Sequence, residues 1–300
     1  MSKHVAVLMG GWSSEREVSL VSGRECAKAL RQGGFQVSEI DVGRDIALVL
    51  DRMRPEICFN ALHGRFGEDG RIQGLLDIMG IPYTHSGALA SAIAMDKVQT
   101  KHLCGSVGVP MAEGKVVRRR EAFGAMPAPF VVKPISEGSS VGVRIVRNGD
   151  NRAPDEDWRY GDDVLVEEFI PGRELTVGVM GDRPLAVTEI KPKEAFFDYT
   201  AKYTEGRAVH LVPAPLPSAV YEETLRVALL AHQTIGCRGV TRSDFRYDDT
   251  TKSPGRLVFL EINTQPGMTP LSLVPEQAAY HGISFTQLVT WMVEEARCDS

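Results

Sequence analysis

The sequence predicts a mixed fold: an α/β unit built on a parallel sheet, followed by strand-rich α+β structure. Three observations carry this. Over roughly residues 1–85, short apolar runs alternate with helical patterns, an arrangement that needs crossover connections and so implies a parallel sheet covered on both faces. Pro110 ends that regime, and from 113 to about 212 the chain is dominated by strand-like runs. Helix then returns at 219–235, ahead of two apolar runs at 240–248 and 256–263 that read as a hairpin.

The elements follow in order. HVAVLM (4–9) is a buried strand that runs into a tight turn at Gly10–Gly11. Ser14 and Glu17 have the spacing of a capping box, so a helix should start near Glu15 and stop at Gly33–Gly34. Strand 35–41, helix 45–53, strand 56–62, a short helix near 71–79 and a longer one over 88–104 complete the first regime. The strand-rich part holds PFVVKP (129–134), VGVRIV (141–146), DVLVEEF (163–169), ELTVGVM (174–180) and PLAVTEIK (184–191). Residues 196–209 are polar and aperiodic and read as a mobile loop, and a helix at 284–297 closes the pattern. The expected division is 1–85, 86–178 and 179–300.

Composition narrows the function. A length of 300 residues calls for more than one core, and 43% hydrophobic with 24% charged residues is ordinary for a globular chain. A net charge of −5 argues against nucleic acid or an anionic membrane as partner. The basic run Arg118–Arg120 reads as a solvated helix start. Five cysteines, never spaced CxxC, point to a reducing compartment without a disulfide framework or zinc site. No signal peptide or membrane-length apolar run is visible, so the expected location is the cytoplasm.

The hairpin carries the sharpest chemical signal. Glu261 and Asn263 share a strand face, and a turn near Lys252–Ser253 sets Asp244 directly opposite Glu261. Like charges facing across a ladder destabilise it. Two carboxylates and an Asn carbonyl suit magnesium, a hard cation that would remove the conflict, and Arg242 adds a fixed cation on the same face. KPISEGSSVG (133–142) places Lys133 at a strand end before Gly138, Ser139, Ser140 and Gly142, a loop able to fold backbone N–H groups over a polyphosphate. It is not a Walker A loop, because the lysine precedes the glycines. VLVEEFIPGREL (164–175) offers Glu167, Glu168 and Glu174 beside an edge that could meet adenine. Glu15 and His63 lie on polar loops at strand ends, where open α/β sheets bind ligands. GGWSSE lacks the GxGxxG spacing, which removes a nicotinamide reading.

These stretches resemble those of the D-alanine–D-alanine ligases of the ATP-grasp superfamily. The resemblance rests on GGWSSEREVSL (10–20), ALHGRFGEDGRIQG (61–74), MDK (95–97), VVKPISEGSSVGV (131–143), FFDYTAKY (196–203), TRSDF (241–245) and LEINTQPGMTPLSLVP (260–275). It implies an ATP-grasp fold behind a Rossmann-like N-terminal domain, with ATP between two antiparallel sheets, and peptidoglycan-precursor synthesis as the task. It assigns Lys97, Lys133 and Ser140 to the phosphates, with Lys202 reaching the γ-phosphate. Glu167, Glu168 and Ile170 would hold adenine, and Glu174 the ribose. Asp244, Glu261 and Asn263 would hold two magnesium ions, with manganese able to replace them. Glu15, supported by Ser139 and Tyr203, would fix the ammonium of the first D-alanine. His63, Arg242 and the Gly267 N–H would surround its carboxyl, and Ser272 would receive the carboxylate of the second. The implied partners are ATP, two D-alanine molecules and a second copy of the chain in a homodimer. The sequence departs from the family pattern at Phe197, Thr200, Gln265 and a shortened 148–163. Tyr203 speaks against a D-alanine–D-lactate ligase, where Phe is usual.

Overall fold

Val5 to Leu8 are fully buried, as expected of a strand with neighbours on both sides and helices on both faces. The computed structural model describes residues 2–138, 141–150, 158–192, 208–250 and 254–299. Strand β1 (His4–Met9) lies between β2 (Gln36–Asp41) and β3 (Ile57–Asn60), both parallel to it. Helix α1 (Arg16–Gln32) packs on one face through Cys26, Ala27 and Leu30. Helices α2 (Ile46–Met53) and α3 (Arg71–Met79) cover the other through Leu50 and Leu76. The expected capping box is absent: Glu15 is the N-cap residue of α1 and makes no side-chain cap. Its carboxylate turns instead toward Gly64, as the site requires.

The helix expected over 88–104 is two, α4 (Ala88–Met95) and α5 (Lys97–Ser106). Asp96 breaks them apart. It is extended, and its carboxylate accepts from Val98 N and Gln99 N, so it caps α5 and leaves Lys97 as the first helical residue.

Two antiparallel sheets follow. The four-stranded one has the order β4–β7–β5–β6, from β4 (Gly114–Arg118), β5 (Phe130–Pro134), β6 (Arg144–Val146) and β7 (Asp163–Glu168). The five-stranded one has the order β10–β9–β8–β11–β12. Its strands are β8 (Arg173–Met180), β9 (Arg183–Pro192), β10 (Ala208–Leu211), β11 (Val240–Asp248) and β12 (Arg256–Asn263). β8 belongs wholly to the second sheet, so the border expected at 178/179 falls inside a strand. β4 went unseen because its residues are nearly all exposed and carry no alternation. The basic run closes β4 and opens a 3₁₀ turn (Arg119–Gly124) rather than an α-helix.

Helix α6 (Ser218–Ile235), with α4 and α5, covers one face of the five-stranded sheet; Val227, Ala228 and Ala231 pack with Val177, Phe245 and Phe259. Helix α7 (Leu273–Tyr280) begins at Ser272 and tolerates Pro275 because first-turn residues donate no intrahelical bond. Gln277 fastens α7 to the sheet, accepting from Gly178 N (2.6 Å) and donating to Thr188 Oγ1 (2.9 Å). Helix α8 (Phe285–Glu294) returns to α1, where Leu288, Val289 and Met292 join the core of the first sheet. The expected loop 196–209 lies mostly outside the described residues, but Ala208 and Val209 belong to β10.

Candidate active site

The β11–β12 hairpin pairs as the spacing predicts, with Asp244 opposite Glu261 and Arg242 opposite Asn263. Asp244 is buried and its oxygens are engaged: Arg242 donates from Nε to Oδ1 (2.9 Å) and from Nη2 to Oδ2 (2.8 Å), and Thr176 Oγ1 donates to Oδ1 (2.7 Å). Glu261 Oε2 lies 3.2 Å from Lys97 Nζ, which also donates to the Glu137 carbonyl (2.5 Å). The charge conflict is therefore met here by one guanidinium and one ammonium. A bulge after Asp244 shifts the register, so the facing pair sits where the ladder is locally re-aimed.

Asn263 Oδ1 accepts from Gln265 N (2.8 Å). Gln265, a departure from the family pattern, ties this loop to the first sheet: its amide donates to Leu62 O (2.5 Å) and accepts from Asn60 Nδ2 (2.8 Å). No cluster of three His, Cys, Asp or Glu suited to a metal occurs among the described residues. The donor set on offer is two facing carboxylates and an amide carbonyl on one cleft wall, all hard oxygens, which fits magnesium rather than a softer metal.

The four-stranded sheet supplies a second charged cluster. Glu167, buried on β7, is held by both Lys133 of β5 and Lys101 of α5. Burial works to raise the Glu167 carboxyl, and the two ammonium groups overcome it, so its pKa lies below the usual range. Burial pushes Lys133 down, against the opposing pull of Glu167. Glu168 is bound bidentately by Arg256 (2.8 and 2.5 Å), and that hydrogen bonding lowers its carboxyl. Ile170 forms a small apolar patch with Ala112 and Val258. Glu174, on β8, lies 3.8 Å from Arg246. The β5–β6 connection carries Gly138 and Gly142, the latter at φ +71° where a side chain would be strained.

The first lobe brings Glu15 and His63 to the same cleft. Position 64, at φ +69°, favours glycine, and a Cβ there would lie 2.6 Å from Glu15 Oε2. His63 is buried between Glu68 Oε1 (3.1 Å) and Ser22 Oγ (3.2 Å). Gly267 and Ser272 close the far wall, and a Cβ at 267 would come within 3.3 Å of Ser272 Oγ. Ser272 Oγ accepts from Thr269 N (3.1 Å). Glu15, His63, Lys97, Glu174, Arg242, Asp244, Glu261, Asn263, Gly267 and Ser272 all line one cleft of about 1180 Å³. Glu167, Glu168 and Ile170 lie outside that lining set. Lys133 does too, but reaches it through its electrostatic contact with Lys97 and Glu261. Ser139, Ser140, Lys202 and Tyr203 fall outside the described residues, as do Phe197 and Thr200.

Two groups of partners escaped the sequence reading. Thr176, Glu68 and Ser22 are polar residues inside ordinary strand and helix patterns, and only pairing across elements gives them a role. Lys101 lies four residues after Lys97 on α5, on the same helix face, and that spacing was a usable signal.

Comparison with known proteins agrees with this geometry. A family model described as "D-ala D-ala ligase C-terminus" matches residues 106–294, and one described as "D-ala D-ala ligase N-terminus" matches 50–86. The chain belongs to the D-alanine–D-alanine ligase family. Among the family's curated members, the D-alanine–D-alanine ligase of Paramagnetospirillum magneticum is 59% identical over 307 residues, covering 100% of both chains. That of Parvibaculum lavamentivorans is 56% identical over 304 residues, covering 99% of each. Of solved structures, the Bacillus anthracis D-alanine–D-alanine ligase superposes with a TM-score of 0.83 at 30% identity, over 98% of this chain and 97% of that one. The same enzyme complexed with ATP gives 0.81 at 27% identity, over 98% and 97%. The family's ATP-grasp architecture, a parallel three-stranded sheet ahead of two antiparallel sheets, is the one described above.

Proposed function

We propose that this chain uses ATP to join two D-alanine molecules into D-alanyl-D-alanine through a D-alanyl phosphate, for peptidoglycan precursors in the cytoplasm. The observation that carries the reading is Asp244 facing Glu261 on the wall of a cleft that also receives Lys97, Glu15, His63 and Ser272. Among the described residues, no helix is long and apolar enough to cross a membrane. We divide the chain into three lobes by sheet, moving the second border to Pro171–Gly172 so that β8 stays whole.

A carboxylate is a poor electrophile, and phosphorylation converts it into one with a good leaving group. Asp244, Glu261 and Asn263 would hold two magnesium ions, or manganese, and the metal would neutralise charge on the transferred phosphoryl group. Lys97 and Lys133 hold the phosphates, Ile170 and its apolar neighbours seat the adenine, and Glu174 takes the ribose. Glu15 fixes the ammonium of the first D-alanine. Arg242 and the Gly267 N–H bind the oxygen of its carboxyl, where negative charge grows as the second amine attacks. Ser272, at the N-terminus of α7, receives the second carboxylate, which the helix end favours. Arg242 and Lys97, which neutralise the metal-site carboxylates here, are thus placed to share their charge with substrate oxygens.

The test is ADP release with ATP and magnesium, with and without D-alanine, alongside identification of the dipeptide. D-alanine-dependent ADP release with D-alanyl-D-alanine as product supports the reading. Release that ignores D-alanine removes it.

A further inference from the structure

The second D-alanine arrives as an ammonium and must attack as an amine, yet the roles above include no group to take its proton. The cleft holds a pair that none of those roles uses. His210, on β10, lies with Nδ1 3.0 Å from Glu276 Oε2, on α7. Both line the cleft that holds Ser272 and Arg242, and both are partly exposed to it, 27% for His210 and 36% for Glu276.

We infer that His210 and Glu276 form a proton-accepting pair for the second D-alanine, a step that rests on the ligase reading. Placement supports this. Glu276 N donates to Ser272 O (2.9 Å), so the two residues are one helical turn apart. Side chains so spaced sit about 5–6 Å apart at Cβ. That separation suits a molecule whose carboxylate and ammonium are joined through a single carbon: the carboxylate goes to Ser272 and the α7 N-terminus, the ammonium toward Glu276. An ionised carboxylate can only accept, so the Nδ1 contact makes that nitrogen the N–H donor and leaves Nε2 as the acceptor. Imidazole is also the side chain whose ordinary titration lies nearest the working range.

Charges of both signs surround the ring at longer range. Across the sheet, His210 pairs with Ile190, and Ile190 with Glu174, so Glu174 shares its face two strands away. Glu189 and Lys191, flanking Ile190, point to the opposite face. Glu17 and Glu25 of α1 line the same cleft. Lys97 and Arg242 line it too, and Arg246 follows Glu174 on the next strand, so the charged group in direct contact with the ring is Glu276.

The balance is simple. One proton passes from the ammonium to Nε2, and Glu276 stabilises the resulting imidazolium. The freed lone pair forms the C–N bond to the acyl carbon as the C–O bond to phosphate breaks. A second proton on that nitrogen leaves with the phosphate.

The experiment separates the two half-reactions in His210→Asn and Glu276→Gln. Hydroxylamine, neutral at pH 7, traps D-alanyl phosphate as the hydroxamate without the second D-alanine. Both variants should form hydroxamate within about twofold of the unmodified protein, which also reports that they fold. Dipeptide formation should fall at least tenfold at pH 7, about 1.4 kcal/mol, with the deficit shrinking toward pH 9 as more D-alanine arrives as free amine. Dipeptide formation that is unchanged, a parallel loss of both products, or a deficit constant with pH would each overturn the proposal. Unmodified protein that releases no ADP with D-alanine would instead remove the ligase reading beneath it.

Discussion

Carboxylates of β12 and of β7 both meet lysines in neighbouring parts of the site, yet the two clusters are built differently. On the hairpin, Asp244 and Glu261 face each other and are answered by Arg242 and Lys97, two charges against two. On the four-stranded sheet, Glu167 alone is shared by Lys133 and Lys101, one charge against two. The hairpin pair opens into the cleft, with the Glu261 side chain 28% exposed, whereas Glu167 is buried. A divalent cation joining the first cluster would leave it positive and ready to hold phosphoryl oxygens. The second carries a surplus positive charge already, so an entering phosphate balances it without a metal. The first is thus suited to cation binding and the second to anion binding, though both pair carboxylates with cationic side chains.

The largest expected effect tests the first half of that contrast. Glu261→Gln keeps the shape but removes one of the facing charges, and ligation should fall by at least about a thousandfold, comparable to losing a principal electrostatic contact. The protein should remain folded, because Gln keeps the side chain's shape and Lys97 keeps its hydrogen bond to the Glu137 carbonyl. Near-normal turnover at saturating magnesium would show that the hairpin is not the metal site. Lys133→Met tests the second half. Losing the buried ammonium should lower kcat/KM for ATP by roughly tenfold to a hundredfold. KM for D-alanine should hold. An equal change in both constants would assign Lys133 to folding rather than to phosphate binding.

How far these clusters were legible follows from their geometry. Register on a short hairpin is fixed by its turn, so Asp244 could be set against Glu261 from spacing alone. Lys133 stood out as a lysine at a strand end before glycines. Its bond to Glu167 did not, because which strand neighbours which in β4–β7–β5–β6 is a tertiary choice that periodicity leaves open. Asp96 shows a local miss of another kind: a capping carboxylate inside an apolar stretch reads as one helix unless its capping preference outweighs the hydrophobic period. His210 and Glu276 were invisible for the same tertiary reason, since they are joined only when α7, packed on β8 and β9, brings Glu276 beside β10. The phosphate and first-substrate roles of Ser139, Ser140, Lys202 and Tyr203 rest on the family resemblance.

Lys101 sharpens the comparison at smaller scale. If Lys133 turns to a phosphate as proposed, Glu167 keeps Lys101, which also donates to Ala112 O (2.6 Å), as its remaining cation. Lys101→Met should raise KM for ATP by about three- to tenfold with kcat nearly unchanged, and Lys101→Arg should restore most of it. A loss of kcat in both variants would remove Lys101 from this positioning role.

A different kind of readout is stability against pH, where the buried cluster should show itself. The folded-state pKa of Glu167 is depressed, so the stability it contributes is present above the unfolded glutamate value and lost as pH falls through the folded one. The relevant window therefore opens below about pH 4.3. His85 complicates that range: burial holds its imidazole at about 3, so the folded protein keeps it neutral while an unfolded chain takes up a proton below about 6.5. Stability lost to His85 thus begins near pH 6.5 and continues toward 3. The two are separated by difference. Glu167→Gln removes the carboxylate and leaves His85 alone, so the histidine slope cancels between the two proteins. At pH 7 the variant should be less stable by about 1–3 kcal/mol, the cost of leaving buried partners poorly satisfied. That gap should hold from pH 7 to about 5 and close below about 4.3, read as urea midpoints at fixed ionic strength. A gap that stays constant into acid would mean that Glu167 keeps its ordinary titration in the fold. The asymmetry between the two clusters would then lie in geometry alone.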